Sequence, residues 1–411
     1  MSTVYIAGSI ILKETPLGEI YGGTNQTTYT KGDILYASGT NTLTKLPIGD
    51  NDDILKVSNG IIWDQNINLF YNSYPENTAN ITTITGITGN NWAGGVLSPN
   101  GKIYGIPLDS TSVLIINPVT NTVDTTTITG LSGTLKWMGG VLARNGKIYG
   151  IPYNSSSVLI IDPIANTVDT TSITGLSGTA KWLGGVLSTN GKIYGIPYNS
   201  TSVLIIDPAT NTANTTAITG LSGTAKWNGG VLAPNGNIYS IPRDATTVLI
   251  INPFLNTANI TSITGIAGSG KWSGGVLAPN GKIYGIPLDS TSVLIIDPVL
   301  NTANTATITG LSGTAKWNGG ILAPNGKIYG IPRNSTSVLI IDPVANTANT
   351  TTITGLTGTT KWKGGVLSTS GNIYGITRDA TTVLIISTGI PLETTTSLPL
   401  YFLLGAYVNK F

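Results

Sequence analysis

The chain has 411 residues and a formal net charge of +2, with 10% of its residues charged and 40% apolar. This balance excludes the dense basic face of a nucleic-acid binder. Cysteine and histidine are absent, which excludes a disulfide, a thiolate nucleophile, an imidazole base and a zinc site built from these residues.

Residues 1–66 form a segment that does not recur in the rest of the chain. Its first residues lack a basic stretch followed by a long apolar one, so we expect no signal peptide. Turn-forming residues at 39–41 and 49–51 predict a small module of short strands. A core of this size is marginal alone, so we expect docking, self-association or anchoring in a larger particle. The alternative is a poorly ordered leader, since Thr-, Gly- and Asn-rich segments often lack order.

Two stretches of this segment carry a motif. Residues 31–49 contain GDILY and LTKLPIG, and residues 53–63 contain ILKV and then Trp63. Their order resembles a segment of tail-fibre and virion-surface proteins of phages and large DNA viruses. The resemblance implies a module that contacts other virion or capsid proteins and forms a trimer, with the chain located in the virion. The last three residues, 409–411, also resemble the end of several algal and giant-virus proteins.

From residue 92 onward a unit with a constant period of 45 residues repeats, and each copy is marked by one tryptophan. The seven tryptophans are Trp92, Trp137, Trp182, Trp227, Trp272, Trp317 and Trp362. A fixed period in this range with several short β-runs per unit is typical of a propeller blade. The sequence therefore predicts an all-β fold, a β-propeller of seven four-stranded blades.

Residues 182–220 show the pattern of one unit. The paired glycines in Gly184-Gly-Val-Leu suit a crowded innermost strand, and Asn190-Gly191 predicts a tight turn before the second strand. The continuous apolar run at 203–206 predicts a third strand that is buried on both faces. Residues 211–219 predict a polar outer strand. We expect the four strands in this order from the axis outward.

The two ends of the repeat predict how the ring closes. An outer strand stands at residues 77–86, before the first tryptophan, and is missing after the last unit. These residues should complete the blade whose other strands come from residues 364–386, which leaves no open edge. The chain then has three parts: an anchoring module at 1–66, a propeller at 67–390 and an apolar tail at 391–411. Within the tail, the apolar run at 398–408 is broken by Pro399 and Gly405 and is too short to span a bilayer.

The phrase VLIIDPxxNT, followed by NGKIY, resembles the repeats of the YVTN-type β-propeller family over about residues 77–388. The family's Tyr-Val-Thr-Asn end of the second strand reads Ile-Tyr-Gly-Ile here, for example at residues 103–106. WD40 repeats are excluded because their Gly-His element needs a histidine. In kelch repeats the glycine doublet stands in a different order relative to the tryptophan. Members of the YVTN-type family are mostly binding or structural modules, so the resemblance implies no catalytic residues.

Acidic residues recur at two positions of the unit, and both positions exchange with asparagine. At the end of the third strand stand Asp162, Asp207, Asp297 and Asp342, with Asn117 and Asn252 at the equivalent places. After the second strand stand Asp109, Asp244, Asp289 and Asp379, alternating with Asn154, Asn199 and Asn334. Free exchange indicates turn capping, which either side chain performs. We therefore predict no catalytic residue and no metal site, and we expect no cofactor.

The best candidates for ligand binding lie on two types of loop that should share one face of the propeller. Loops that enter the inner strands carry Lys136, Lys181, Lys226, Lys271, Lys316 and Lys361. Loops that join the second and third strands begin with a variable residue: Leu108, Tyr153, Tyr198, Arg243, Leu288, Arg333 and Arg378. Cations interleaved with tyrosines suit an acidic glycan or an anionic patch of a partner. The alternative is a solvated rim that prevents aggregation of this face.

Three functions compete at this point. The first is a non-enzymatic viral structural protein that displays the propeller on the virion surface or a fibre for protein–protein attachment. The second is a lectin-like propeller that binds a host glycan or receptor through the lysine, tyrosine and arginine residues, and it is compatible with the first. The third, a lactonase or glycosidase, needs carboxylates near the axis. The inner strands, for example residues 94–98, contain none, so we expect that the chain is not an enzyme.

Overall fold

The computed structural model describes residues 34–39, 42–46, 54–57, 61–64, 77–88 and 91–389. The chain divides into two units, Met1–Tyr74 and Pro75–Phe411. Every regular element in the described ranges is a strand, and none of these residues belongs to a helix able to cross a membrane. The predicted apolar tail at 391–411 lies outside the described residues. The predicted domain boundaries at 66/67 and 390/391 stay predictions.

The first unit contains two antiparallel hairpins. Strand Ile34–Gly39 pairs with Thr42–Leu46, and strand Ile54–Val57 pairs with Ile61–Asp64. Both hairpins fall on the two stretches that carry the fibre-like motif. Short strands are therefore present in this segment, as the sequence predicts.

The second unit contains seven antiparallel sheets of four strands each, which we number as blades 1 to 7 from Trp92 to Trp362. The inner strands are Trp92–Leu97, Trp137–Leu142, Trp182–Leu187, Trp227–Leu232, Trp272–Leu277, Trp317–Leu322 and Trp362–Leu367. The second strands are Ile103–Pro107, Ile148–Pro152, Ile193–Pro197, Ile238–Pro242, Ile283–Pro287, Ile328–Pro332 and Ile373–Thr377. The third strands are Leu114–Asn117, Leu159–Asp162, Leu204–Asp207, Leu249–Asn252, Leu294–Asp297, Leu339–Asp342 and Leu384–Ser387. The outer strands are Thr122–Asp124, Thr167–Asp169, Thr212–Asn214, Thr257–Asn259, Thr302–Asn304, Thr347–Asn349 and, for blade 7, Thr78–Asn80.

The ring closes as the sequence predicts. The outer strand of blade 7 comes from the start of the unit, and it pairs Ile385 with Asn80, Ile386 with Ala79 and Ser387 with Thr78. Every sheet of the propeller then has the same strand order, with the inner strand first and the polar strand last. Closure by a strand from the other end of the repeat removes the free edges of a linear array.

The outer strands are shorter than the sequence predicts. Residues 212–214 form a strand, whereas residues 215–219 leave the ladder. The reason is local: the Asn214 side-chain oxygen accepts hydrogen bonds from the backbone N–H of Thr216 (2.8 Å) and Ala217 (2.9 Å). Such a turn offers the backbone an alternative to strand pairing. Ile218 nevertheless reaches the core and is buried.

The glycine doublet of the inner strand meets two different demands. Gly139 has φ 82°, in the left-handed region that favours glycine, and the pairing register shifts between Trp137 and Gly140. A Cβ atom on Gly140 would lie 2.5 Å from Cδ1 of Ile106 in the neighbouring blade. The inner strand can therefore bend and approach its neighbour because neither position carries a side chain.

The hydrophobic core lies between the blades. The cluster between blades 1 and 2 joins Tyr104 and Ile106 of one blade to Trp137 and Ile148 of the next. Tyrosine hydroxyls also tie the blades together. Tyr149 of blade 2 bonds to the Asn211 side chain of blade 3 at 2.8 Å, and the Tyr374 hydroxyl of blade 7 bonds to Asn121 of blade 1 at 2.7 Å. The same contacts therefore run around the whole ring.

Candidate ligand-binding site

The two predicted loop types do share one face, which we call the loop face. The backbone N–H of Tyr198 donates to the carbonyl of Lys181 at 2.8 Å, and the N–H of Lys226 donates to the carbonyl of Tyr198 at 3.0 Å. Tyr198 lies on a loop between the second and third strands of blade 3, whereas Lys226 enters blade 4. Backbone hydrogen bonds of this kind link the loops of successive blades, from Leu108 in blade 1 to Arg378 in blade 7.

The lysines that precede the tryptophans lie beneath the loops. Lys181 Nζ donates to the carbonyls of Tyr153 (3.1 Å), Ser155 (2.9 Å) and Gly178 (2.9 Å) and lies 5.8 Å from the centre of the Trp182 ring. Burial lowers the pKa of Lys181 to about 8. The six lysines are 3–4% exposed: Lys136, Lys181, Lys226, Lys271, Lys316 and Lys361.

Two features of the lysine set follow from these contacts. The ammonium groups join one blade to the next through backbone carbonyls, for example Lys226 Nζ to the Ser200 carbonyl at 2.9 Å. They also lie below the surface that a ligand would touch. The lysines hold the loops together, and the tyrosines and arginines are left as the groups that can meet a ligand.

The recurring acidic and amide side chains have the turn-capping role that the sequence predicts. Oδ1 of Asp162 accepts from the N–H groups of Ile164 (3.0 Å) and Ala165 (3.1 Å). On the loop face, Oδ1 of Asn154 accepts from the N–H of Ala180 at 2.7 Å. Both positions therefore serve the backbone.

The variable loop residues converge on the axis together with the residues that follow the tryptophans. The latter are Ala93, Met138, Leu183, Asn228, Ser273, Asn318 and Lys363, all buried. We call these residues and the variable set (Leu108, Tyr153, Tyr198, Arg243, Leu288, Arg333 and Arg378) the axial mouth. Lys363 Nζ of blade 7 lies 3.2 Å from Met138 Sδ of blade 2. Contact between blades that are not neighbours places these side chains at the centre of the ring.

One side of the axial mouth is apolar and aromatic. Ala93, Leu108, Met138 and Leu183 form a buried cluster on blades 1 to 3, with Tyr153 and Tyr198 packed against it. The two tyrosine rings have centroids 5.7 Å apart and planes inclined by 54°. Burial raises the pKa of the Tyr153 hydroxyl to about 12, so it remains a neutral hydrogen-bond donor.

The other side of the axial mouth is cationic. Arg243 bonds to the Tyr198 hydroxyl, and its Cζ atom lies 5.4 Å from the centre of that ring. The Nε atoms of Arg333 and Arg378 are buried and make no hydrogen bond among the described residues. Three guanidinium groups, each with five N–H donors, therefore lie at the axial mouth.

Lys363 lies close enough to these arginines to feel their charge, and it is 6% exposed. Its pKa is lowered to about 7, above all by burial and then by the positive charges of Arg378 and Arg333. The smaller contributions are a further lowering by Arg243 and an opposing effect of Asp109. Within the described residues its ammonium group bonds only to the Met138 sulfur, which is a weak acceptor. Lys363 was not predicted as a site residue, although the position after the tryptophan varies from blade to blade and that variation is a usable signal.

A cleft elsewhere on the loop face has a different character. It has a volume of about 850 Å³ and lies between the outer loops of blades 4 and 5, lined by residues such as Ser269, Ser290 and Thr305. The lysine at its edge, Lys271, is already bonded to the carbonyls of Ala245 and Gly268. Its lining comes largely from the repeated loops, whereas the axial mouth combines the residues that differ between blades and the unpaired charge.

No protein-family model and no curated protein sequence matches the chain. Solved structures do match its fold. A streptogramin B lyase aligns with a TM-score of 0.62 and 10% identity, over 75% of this chain and 97% of the lyase. Virginiamycin B lyase from Staphylococcus aureus aligns with a TM-score of 0.63 and 9% identity, over 76% and 99%. The extracellular domain of a protein described as a one-component system of B. thetaiotaomicron aligns with a TM-score of 0.56 and 12% identity, over 78% and 44%.

These comparisons establish the seven-bladed propeller and correct one prediction. The expectation that the chain is not an enzyme is wrong as an inference from its repetitive blades, because structures of the same fold are lyases. The physical reason is that a propeller's strands build the scaffold, and its chemistry depends on the loops. A catalytically inactive histidine-to-alanine variant of the S. aureus lyase was solved with quinupristin, whereas the present chain contains no histidine. The resemblance to viral fibre proteins finds no support in any of the matches.

Proposed function

We propose that this propeller binds an acidic glycan at the axial mouth. The observation that carries the proposal is the convergence of Arg243, Arg333 and Arg378 with the buried Lys363 on one side of the axis. Guanidinium groups form paired hydrogen bonds with carboxylates, and the acidic sugars carry such a group. A site with a few placed charges beside an apolar wall is typical for small ligands.

The tyrosines support a glycan rather than a simple ion. Tyr153 and Tyr198 present an apolar ring face and a hydroxyl donor side by side, and such amphipathic rings suit a ligand with both apolar and polar faces. The bond between Arg243 and Tyr198 holds one ring of this pair against the cationic side. A sugar lying on the rings would place its carboxylate toward the arginines.

The experiment is a glycan array probed with the full chain. We expect binding to acidic oligosaccharides and none to their neutral counterparts. Replacement of both Arg333 and Arg378 by glutamine should lower the affinity by about 10- to 100-fold, the usual loss for charge-assisted bonds. Silence across all acidic sugars, or binding that ignores the substitutions, would rule the proposal out.

A second candidate is display of this propeller on a virus particle through the first unit, with contacts to virion proteins and trimer formation. The observation that favours it is that the two hairpins of that unit coincide with the fibre-like motif. Mass spectrometry of purified particles should detect the chain as a component, and light scattering of the full chain should give three copies. Absence of the chain from purified particles would refute this second candidate. The glycan-binding proposal would remain.

A further inference from the structure

Lys363 is a charge that the propeller does not require. The equivalent position is occupied by Ala93 in blade 1, Leu183 in blade 3 and Ser273 in blade 5, and those blades have the same strand pairing. A buried ammonium group without a charged or carbonyl partner destabilises a fold. A perturbed buried charge of this kind, placed in a mouth lined with polar groups, indicates a functional site.

Lys361, two residues earlier, shows what a structural lysine looks like here. Its Nζ donates to the carbonyls of Ser335 (2.9 Å) and Gly358 (2.7 Å) and lies 5.7 Å from the Trp362 ring centre. Among the described residues, Lys363 Nζ bonds only to the Met138 sulfur, at 3.2 Å. The two lysines are similarly buried, so the difference between them is the supply of acceptors.

We propose that Lys363, Arg333 and Arg378 form a subsite for the carboxylate of the ligand, and that Met138 and Leu183 receive an apolar substituent of the same ligand. The inference rests on the proposed function and deepens it by naming the ligand class. That class is an acidic sugar carrying a small apolar group such as a methyl or acyl group.

The arginines supply the remaining donors of the subsite. Nε of Arg333 and Nε of Arg378 are buried and unpartnered among the described residues. The nearest carboxylate to Arg378 Nε is that of Asp379 at 3.9 Å, beyond hydrogen-bond distance. A ligand carboxylate has two oxygens and about four acceptor positions, enough for one lysine and two arginines.

Two carboxylates of the loop face, those of Asp109 and Asp244, are held by hydrogen bonds within the loops. Asp109, the acidic group that acts on Lys363, bonds through Oδ2 to the Asn91 amide at 2.5 Å and through Oδ1 to the N–H of Leu135 at 2.5 Å. Asp244 is engaged in the same way by the N–H of Gly270 at 2.6 Å. Their oxygens hold loops in place, and the ammonium group of Lys363 is left for an anion from outside.

The apolar wall begins directly beside the charge. Met138 touches Lys363 and belongs to the same buried cluster as Leu183, Leu108 and Ala93. A ligand carboxylate bound to Lys363 would thus bring its adjoining atoms against these side chains. Displacing water from such a surface favours an apolar substituent by roughly 0.8 kcal/mol per buried methylene, equivalent to about a fourfold gain in affinity.

The test titrates the full chain with three probes: glucuronate, methyl glucuronide and the neutral methyl glucoside. Calorimetry and thermal melting should show binding of both acids, a severalfold preference for methyl glucuronide, and no response to methyl glucoside. Lys363→Met should lose about 10- to 100-fold in affinity for glucuronate while its melting temperature rises. Leu183→Asn should remove the preference for the methylated probe.

The outcomes separate this inference from the proposed function. Glucuronate binding that is unchanged in Lys363→Met, or no stabilisation of the wild-type chain by saturating glucuronate, overturns the inference. A wild-type chain that binds glucuronate through Lys363 but no acidic oligosaccharide on the array keeps the subsite and refutes the glycan function. A Lys363→Met chain that melts earlier than wild type would show a structural lysine and would also overturn the inference.

Discussion

The body of the blades, by which we mean the residues repeated in every blade, and the axial mouth differ in how their residues vary along the repeat. In the body the same residue returns in every blade: the tryptophan bonded to a loop carbonyl, the tyrosine bonded to the next blade, and the glycine pair against a neighbouring isoleucine. At the axial mouth the residue changes from blade to blade, from Ala93 to Met138 to Lys363. The residues that are repeated in every blade form the interfaces between blades. The residues that vary from blade to blade are not required for those interfaces.

The difference also appears in how polar groups are satisfied. Lys226 in the body directs its ammonium group to three carbonyls, so its burial is compensated. At the axial mouth, Lys363 and the Nε atoms of Arg333 and Arg378 are buried and have no carbonyl partner in the part of the chain that the structure describes. A stable fold normally satisfies its buried polar groups, so three cationic side chains with such unpaired atoms at the axial mouth indicate a ligand.

The largest effect should come from the tryptophan of the body. Trp227→Ala should lower the free energy of unfolding by about 3–5 kcal/mol, because it empties part of the core between blades 3 and 4. Tyr198→Ala at the mouth should cost far less stability and should weaken glycan binding. Denaturant unfolding of both variants measures the contrast. Equal losses of stability would break the distinction between body and mouth.

The two lysines of blade 7 should respond with opposite signs. Lys361→Met should lower the free energy of unfolding by about 2–4 kcal/mol, since two carbonyls lose a charged donor. Lys363→Met should raise it by about 1–4 kcal/mol, since an unpaired buried charge is replaced by an apolar side chain of similar length. Urea unfolding of both variants measures the signs, and a loss of stability in both would contradict the account.

The pH dependence of stability should isolate Lys363. Its pKa of about 7 in the fold lies below its unfolded value of about 10.4. Between these values only the unfolded chain keeps the proton, so the free energy of unfolding rises with pH through that window and is flat below it. Lys361 has a pKa of about 8 and contributes in the same direction, so the comparison must be with Lys363→Met. The amount by which Lys363→Met exceeds wild type in free energy of unfolding should shrink between about pH 6 and about pH 10. A difference that does not change with pH would show that Lys363 does not titrate in this range.

Ligand affinity should have the opposite slope. A bound carboxylate raises the pKa of Lys363, so affinity is full below about pH 7 and falls as pH rises above it. Calorimetric titration of glucuronate in buffers of different ionisation enthalpy should show proton uptake in wild type and none in Lys363→Met. Equal proton uptake in both chains would assign the effect to another group.

The smallest effect should come from the capping positions of the body. Asp207→Asn should change the free energy of unfolding by less than about 0.5 kcal/mol, because Asn117 and Asn252 cap the same turn in other blades. The lost ion pair with Lys192, at 3.3 Å, is exposed and contributes little. Thermal melting of wild type and Asp207→Asn at low and high salt measures this change in stability. A loss above 1 kcal/mol would show that this position is not interchangeable.

The fold could be predicted almost completely from the sequence because it depends on local patterns repeated at a constant spacing. The period of the tryptophans predicts the number of blades, and the surplus outer strand at residues 77–86 predicts the closure. The outer strands were predicted too long because the capping effect of Asn214 on its own backbone is hidden in a Thr-rich pattern. Local side-chain to backbone bonds of this kind end a strand without a change in composition.

The site could be predicted only in part. Tyr153, Tyr198, Arg243, Arg333 and Arg378 were predicted from their variation within the repeat, and the structure places them at the axial mouth. The lysines were expected beside them because they precede the inner strands. Their bonds to loop carbonyls below the surface become visible only in the folded structure. Lys363 went unnoticed because contact between blades 2 and 7 is a property of the closed ring.

The measurement that tests the account most directly is a crystal structure of the full chain with a bound acidic oligosaccharide. We expect the sugar carboxylate within hydrogen-bond distance of Lys363 Nζ and of Arg333 or Arg378, with the sugar ring against Tyr153 or Tyr198. A ligand bound instead in the clefts between the outer loops, with the axial mouth unchanged, would contradict it.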